Sequence, residues 1–330
     1  MSAFNLKMSD FGRLTINSMR VITERDVVAP NPNKEVITFQ AGKINLGNLK
    51  IKVKQIILGD PTKFGNFPPA PESIAAIEKA LKLDTFGYCH SAGIPESREA
   101  IVEYVKKINK EVVTADDVIL TSGCSMALDM CIQVLTNPGD NVLIPRPCFH
   151  YKTWMMGSGI EVNFYNLDPA QDWNVDLKDL ESRINNRTKA IILNSPGNPC
   201  GNVFSKSHIL EILAIAEKHK IPIISDEVYE HCVFPGVEYH SVGSLSKNVP
   251  VFACSGLTKR FLIPGIRMGW IIIHDKNNDL KEIRQGLLNI AGRNFGPNST
   301  AQLALPDILR NTPQEFFNKS IEKVAVSVTH

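Results

Sequence analysis

The stretch Ser207–Tyr229, SHILEILAIAEKHKIPIISDEVY, holds two periodicities and then a change of chemistry. From Ser207 to Lys218, Ile209, Leu213 and Ala216 recur along one side of a helix. Ile221-Pro222-Ile223-Ile224 is apolar throughout, which is the pattern of a strand buried on both faces rather than one. Ser225-Asp226-Glu227-Val228-Tyr229 follows at once and is polar. The same alternation extends outward. Further apolar runs are Val118–Leu120, Asn141–Ile144, Ala190–Leu193 and Val251–Cys254, and helical stretches are predicted at Pro71–Leu83, Ser97–Ile108 and Ser125–Leu135. In the first of these, Pro71 sits in the first turn, and Ile74, Ile77, Ala80 and Leu81 are expected to share the buried face. Alternation of this kind predicts an α/β fold, a mostly parallel sheet sandwiched by helices. Ligands of such sheets bind beyond the carboxyl ends of the strands, so the residues after each run are the candidates for chemistry.

Composition narrows the classes. In 330 residues there are 36 Lys+Arg against 34 Asp+Glu, a net charge of +2, with 43% hydrophobic residues. That excludes a disordered or fibrous chain and offers no electrostatic pull toward nucleic acid or an anionic membrane surface. The seven cysteines are widely spaced with no Cys-x-x-Cys, which predicts free, mostly buried thiols rather than disulfides or a zinc site. Met1–Asp10 lacks a basic region followed by an apolar core, and no apolar run approaches the roughly 20 residues that span a bilayer. A cytoplasmic protein is expected. Residues 49–54 alternate apolar residues with Lys50, Lys52 and Lys54, as on an edge strand.

At the strand ends, each segment has a plain and a functional reading. Thr121-Ser122-Gly123-Cys124-Ser125 opens a helix, either as an ordinary N-cap or as a phosphate site made of free backbone N–H groups. Asn194-Ser195-Pro196-Gly197-Asn198-Pro199-Cys200-Gly201 is either a turn or a rigid loop that aims Asn198 inward. Asp226 is either a cap or a buried carboxylate that requires a partner, with Tyr229 able to share its side. Lys259 stands after a buried strand and before an apolar segment. It is either solvated or a dehydrated amine with a lowered pKa, suited to imine chemistry. Arg267, between Gly265 and Gly269, can bring its planar fork to a phosphate.

Taken in order, these segments resemble a family. Ser255–Trp270 is similar to the lysine signature of the fold-type I pyridoxal-phosphate aminotransferases, and Asn198-Pro199-Cys200-Gly201, Asp226-Glu227-Val228-Tyr229 and Gly123-Cys124-Ser125 precede it in that family's order. Pro30-Asn31-Pro32-Asn33-Lys34, Gly59-Asp60-Pro61-Thr62, Pro145-Arg146-Pro147 and Gly269-Trp270 resemble its aromatic, tyrosine-using branch. The resemblance implies pyridoxal 5'-phosphate as cofactor and amino transfer from L-tyrosine to 2-oxoglutarate by a ping-pong route. It implies Lys259 as the cofactor-holding lysine and acid/base, and Asp226 as the partner of the ring nitrogen. Tyr229 and Asn198 would lie on the ring's phenolic oxygen and Phe149 on its face. Gly123, Cys124, Ser125 and Arg267 would hold its phosphate. It further implies that Tyr88 reaches the phosphate of the neighbouring subunit of a homodimer, and that Gly59 lies near the substrate.

The resemblance divides the chain into an arm and small-domain segment at 1–66, a large cofactor-binding domain at 67–300, and the start of a small domain at 301–330. Two departures qualify it. An insertion near 40–55 interrupts the pattern. The family's arginine for the substrate α-carboxylate is also missing, since Arg284, Arg293 and Arg310, which follow Arg267, do not stand in its motif. A cofactor-binding chain without turnover, an alanine-type aminotransferase and a carbon–sulfur lyase are the alternatives this leaves.

Overall fold

The computed structural model describes residues 8–15, 62, 67–83 and 86–328. The insertion near 40–55, the lysine strand at 49–54 and Gly59 lie outside the described residues.

Eight strands form one sheet: β1 Val118–Thr121, β2 Asn141–Arg146, β3 Glu161–Asp168, β4 Asn174–Val175, β5 Thr188–Asn194, β6 Ile223–Asp226, β7 Val251–Gly256 and β8 Gly269–His274. Their order is β1-β8-β7-β6-β5-β2-β3-β4. The pairs β7–β6, β6–β5, β5–β2 and β2–β3 are parallel, whereas β8 runs antiparallel to both β1 and β7, and β4 is antiparallel to β3. The predicted mostly parallel sheet is therefore present. Twelve residues, 257–268, connect β8 to β7 and include the short turn Pro264–Ile266.

Both faces of the sheet are covered, and the period of two sorts the side chains between them. Val142, Ile144, Ile192, Ile224, Phe252 and Ile271 point to one face, with the helices Cys124–Leu135 and Lys281–Gly292 packed on it. Leu143, Ile191, Ile223 and Val251 point to the other and meet Ile209, Ile212, Leu213 and Ala216 of the helix Lys206–His219. Toward β1 and β8, that second face is covered by the helices Pro71–Leu81, Pro95–Asn109 and Ser299–Asn311 around Leu120, Trp270 and Ile272.

Two expectations are corrected. The buried side of Pro71–Leu81 is Ser73, Ala76 and Ala80, while Ile74 and Leu81 are exposed. The small residues let Ala301, Ala304 and Leu305 of Ser299–Asn311 come close, so close packing overrides the pattern of large apolar residues. All seven cysteines are free, but only Cys124, Cys131 and Cys254 are buried, and the other four are half-buried. Among the described residues, no helix is long and apolar enough to cross a membrane.

Candidate active site

The parallel strands end along one edge of the sheet. Because β8 runs the other way, its first residue lies on that same edge, where Gly269 stands opposite both Thr121 of β1 and Gly256 of β7. Segments far apart in the chain thus meet there: the turn after β1, the loops after β2 and β5, the turn after β6, and the residues between β7 and β8.

At the first of these, Gly123 has φ +84° and leads into the helix Cys124–Leu135. The amides of Cys124 and Ser125 are the first of that helix, so they have no intrahelical acceptor and carry its positive end. The Arg267 guanidinium lies against this turn, donating to the Ser122 carbonyl at 3.0 Å and the Pro264 carbonyl at 3.1 Å. Two glycines make the approach possible. A Cβ on Gly123 would stand 2.3 Å from an Arg267 nitrogen, and one on Gly269 would stand 2.5 Å from the Cys124 amide. A fork of donors beside free helix-start amides is an anion cradle that a single extra carbon would fill.

Asp226 closes β6 and is 4% exposed. Its Oδ2 accepts from the Tyr151 hydroxyl at 2.7 Å, and its Oδ1 accepts from the Val228 amide at 3.2 Å and the Cys124 thiol at 3.7 Å. Burial pushes the carboxyl up from its ordinary range; these donors and the Lys259 charge pull it back. Asn194, at the end of β5, ties the next loop to this point. Its Nδ2 donates to the Asp226 carbonyl at 3.0 Å, and its Oδ1 accepts from the Asn198 amide at 2.7 Å. The Asn198 side chain in turn hydrogen-bonds the Tyr229 hydroxyl, opposing a rise in that group driven by burial. Lys259 is half-buried, with its Nζ 5.7 Å from the centre of the Tyr229 ring. Phe149, after β2, belongs to an aromatic cluster with Tyr151 at 5.9 Å and Trp154 at 6.3 Å between ring centres.

The structure thus brings Gly123, Cys124, Ser125, Phe149, Asn198, Asp226, Tyr229, Lys259 and Arg267 to one edge of the sheet. Tyr88 stands apart on the surface, 88% exposed, with its ring 5.1 Å from that of Phe295. A cavity of about 320 Å³ adjoins Lys259 and Tyr229 and is lined by Phe67, Leu262, Phe317 and Val324. Asp226, Asn198, Phe149 and Arg267 do not line it, so it neighbours the site rather than forming its centre. Of the later arginines, Arg284 is paired with Asp117 at 2.7 Å, and Arg310 with Glu103 at 2.9 Å. Sequence reasoning passed over Tyr151 and Asn194. The only local signal for Tyr151 was its place two residues beyond Phe149, and the only one for Asn194 was its position closing an apolar run.

A buried carboxylate, a nearby amine and an anion cradle at the ends of a mostly parallel sheet fit the three handles of pyridoxal 5'-phosphate: ring nitrogen, aldehyde and phosphate. The fold and this set of donors define an enzyme of the fold-type I pyridoxal-phosphate class. Comparison with known proteins makes this specific. The model of the family "Aminotransferase class I and II" matches residues 57–329, and the chain belongs to that family, whose cofactor is pyridoxal 5'-phosphate. The chain is 44% identical to tyrosine aminotransferase of Mus musculus over 321 residues, covering 96% of this chain and 67% of that protein. It is 43% identical to tyrosine aminotransferase of Homo sapiens, with the same coverage. It therefore spans about two thirds of the length of these mammalian relatives. Among solved structures, tyrosine aminotransferase from Leishmania infantum superposes with a TM-score of 0.87 at 28% identity, covering 97% of this chain and 76% of that one. Alanine aminotransferase from Pyrococcus furiosus superposes with a TM-score of 0.77 at 36% identity, covering 80% and 67% respectively.

Proposed function

We propose that the chain transfers the amino group of L-tyrosine, and of related aromatic amino acids, to 2-oxoglutarate. The observation that carries this is the convergence of Lys259, Asp226 and the Gly123–Arg267 cradle in a chain 44% identical to a tyrosine aminotransferase. When bound, pyridoxal 5'-phosphate supplies an aldehyde that captures the amino group and a ring that accepts electrons from the substrate Cα.

The protein's own residues supply the rest. The amides of Cys124 and Ser125, with Arg267, would hold the phosphate. Phe149 would cover a face of the ring. Asp226, whose three donors oppose the rise that burial drives, would hold a proton on the ring nitrogen. Asn198 and Tyr229 hydrogen-bond the phenolic oxygen. The Lys259 amine would move the proton at the substrate Cα, as general base and then general acid. Gly59, in the family's substrate-side segment, lies outside the described residues. We infer a homodimer in the cytoplasm, working on amino acids and 2-oxo acids rather than on nucleic acid or membranes. The exposed pair Tyr88 and Phe295, 88% and 64% exposed, is the surface from which Tyr88 would reach the neighbouring subunit's phosphate.

The test is spectroscopic and kinetic. Purified protein mixed with pyridoxal phosphate should develop the visible band of a lysine-bound cofactor. L-tyrosine should discharge that band and 2-oxoglutarate should restore it. Lys259→Ala should lose both the band and turnover, and retention of either by this variant contradicts the assignment. L-alanine belongs in the donor panel, because a solved relative is an alanine aminotransferase. A faster discharge by alanine than by tyrosine would move the substrate reading to the alanine type.

A further inference from the structure

Asp226 presents an accounting that its role as a ring partner leaves unexplained. A carboxylate offers about four acceptor positions on its two oxygens. Three of them are filled here, by the Val228 amide and the Cys124 thiol on Oδ1 and by the Tyr151 hydroxyl on Oδ2. The fourth has no donor among the described residues. Tyr151 is wholly buried, and its hydroxyl makes its bond to Asp226 across 75 positions of sequence. Cys124 is likewise buried, and its thiol turns away from the helix-start cradle toward the carboxylate.

We propose that Tyr151 and Cys124 are positioning residues that grip the two oxygens of Asp226, aim its one remaining acceptor position at the cofactor's ring nitrogen, and keep the shared proton on that nitrogen. The proposal rests on the functional reading above and deepens it.

The chemistry follows from competition for one proton. A buried carboxylate without donors is a stronger base, and in a pair with a pyridine nitrogen it draws the proton to itself. Each donor weakens that base and leaves the proton on the ring, where it is needed for the ring to accept electrons. The titratable groups facing Asp226 are Tyr151, Cys124, Tyr229, Cys254 and Lys259. Tyr151 supplies the shortest of the three bonds and should carry most of the effect.

The experiment reconstitutes the full chain with pyridoxal phosphate carrying ¹⁵N in the ring. It reads the ring-nitrogen resonance, the cofactor dissociation constant and the pH at which the visible band titrates. In the native protein the resonance should be that of a protonated pyridine. Tyr151→Phe keeps the ring and removes only the hydroxyl. It should move the resonance toward the unprotonated position, raise the dissociation constant about tenfold, and displace the band titration. Cys124→Ala should do the same to a lesser degree, and Cys124→Ser, which keeps a donor, should restore native values. The cysteine pair decides the matter alone should Tyr151→Phe fail to fold. Native protein that binds no cofactor overturns the functional reading and this proposal with it. Native protein that binds normally, beside folded variants whose resonance and affinity are unchanged, overturns this proposal alone.

Discussion

Gly123 shows how much a single backbone position can carry. Its φ of +84° and ψ of 163° lie in a region open essentially to glycine alone. Its missing Cβ is the space that the Arg267 guanidinium fills, 2.3 Å from where that carbon would stand. Gly123→Ala therefore meets two separate obstacles, backbone strain of about 1–3 kcal/mol and the eviction of Arg267 from the cradle. The chain should still fold, with a lowered urea midpoint, but bind pyridoxal phosphate more than tenfold more weakly. Fluorescence titration with the cofactor checks this, and native affinity in the variant would show that Arg267 does not reach the phosphate. At this scale the sequence is informative where chemistry is unusual for its place. A lysine after a buried strand, an aspartate ending one, and an arginine between glycines were all legible as candidates. Tyr151 and Asn194 were not, because an ordinary tyrosine and asparagine gain their meaning only from atoms distant in sequence.

The strand ends also bury acids that the chemistry does not use. Glu230 follows β6 in the same turn as Asp226 and Tyr229 and is 2% exposed. It accepts from Ser255 Oγ of β7 at 3.0 Å and from the Tyr104 hydroxyl, in the helix Pro95–Asn109, at 3.2 Å. It thus links three elements. Burial pushes its carboxyl up to about 7, against the pull of the Arg260 charge. The native state then holds this proton more tightly than the unfolded chain does, so its contribution to stability is complete below pH 4.5 and is lost as pH rises through about 7. Glu230→Gln removes the titration and keeps the shape. The stability of the native protein relative to this variant should fall by on the order of 3 kcal/mol as pH rises from 4.5 through about 7, and level off above that. Urea unfolding of both proteins across that range measures it, and a constant difference would mean that Glu230 ionises freely. His231, held down to about 4 by burial, works in the opposite direction and, being common to both proteins, largely cancels. At the scale of elements, the apolar runs made the central strands legible. The strand Glu161–Asp168 was not, because its exposed and half-buried positions mix Asn and Glu with apolar residues. The direction of β8 was not legible either, since a wholly buried apolar run reads the same whichever way the strand lies.

Across the whole molecule, the problem is how the last described helix joins the body. Ser299–Asn311 buries Ala301, Ala304, Leu305 and Ile308 in the same cluster as Trp270 and Ile272 of β8. Helix and sheet are distant in sequence here, and the contact between them shows only in the burial of a shared apolar face. Gln314–Val328 continues from this point and is attached chiefly through Phe317. That ring meets Phe261 edge-on at 5.3 Å between ring centres and lies under the Arg260 guanidinium at 4.5 Å. Both neighbours follow Lys259 directly, so this contact supports the backbone that carries that lysine. Phe317→Ala should cost about 3 kcal/mol of stability through lost burial and the cavity left behind. It should also widen the space behind Lys259, a cavity that Phe317 already lines, and so lower cofactor occupancy under conditions where the protein remains folded. Parallel urea unfolding and absorbance titration with pyridoxal phosphate separate the two effects. A loss of stability with full native occupancy would mean that the helix anchors the fold without bracing the lysine.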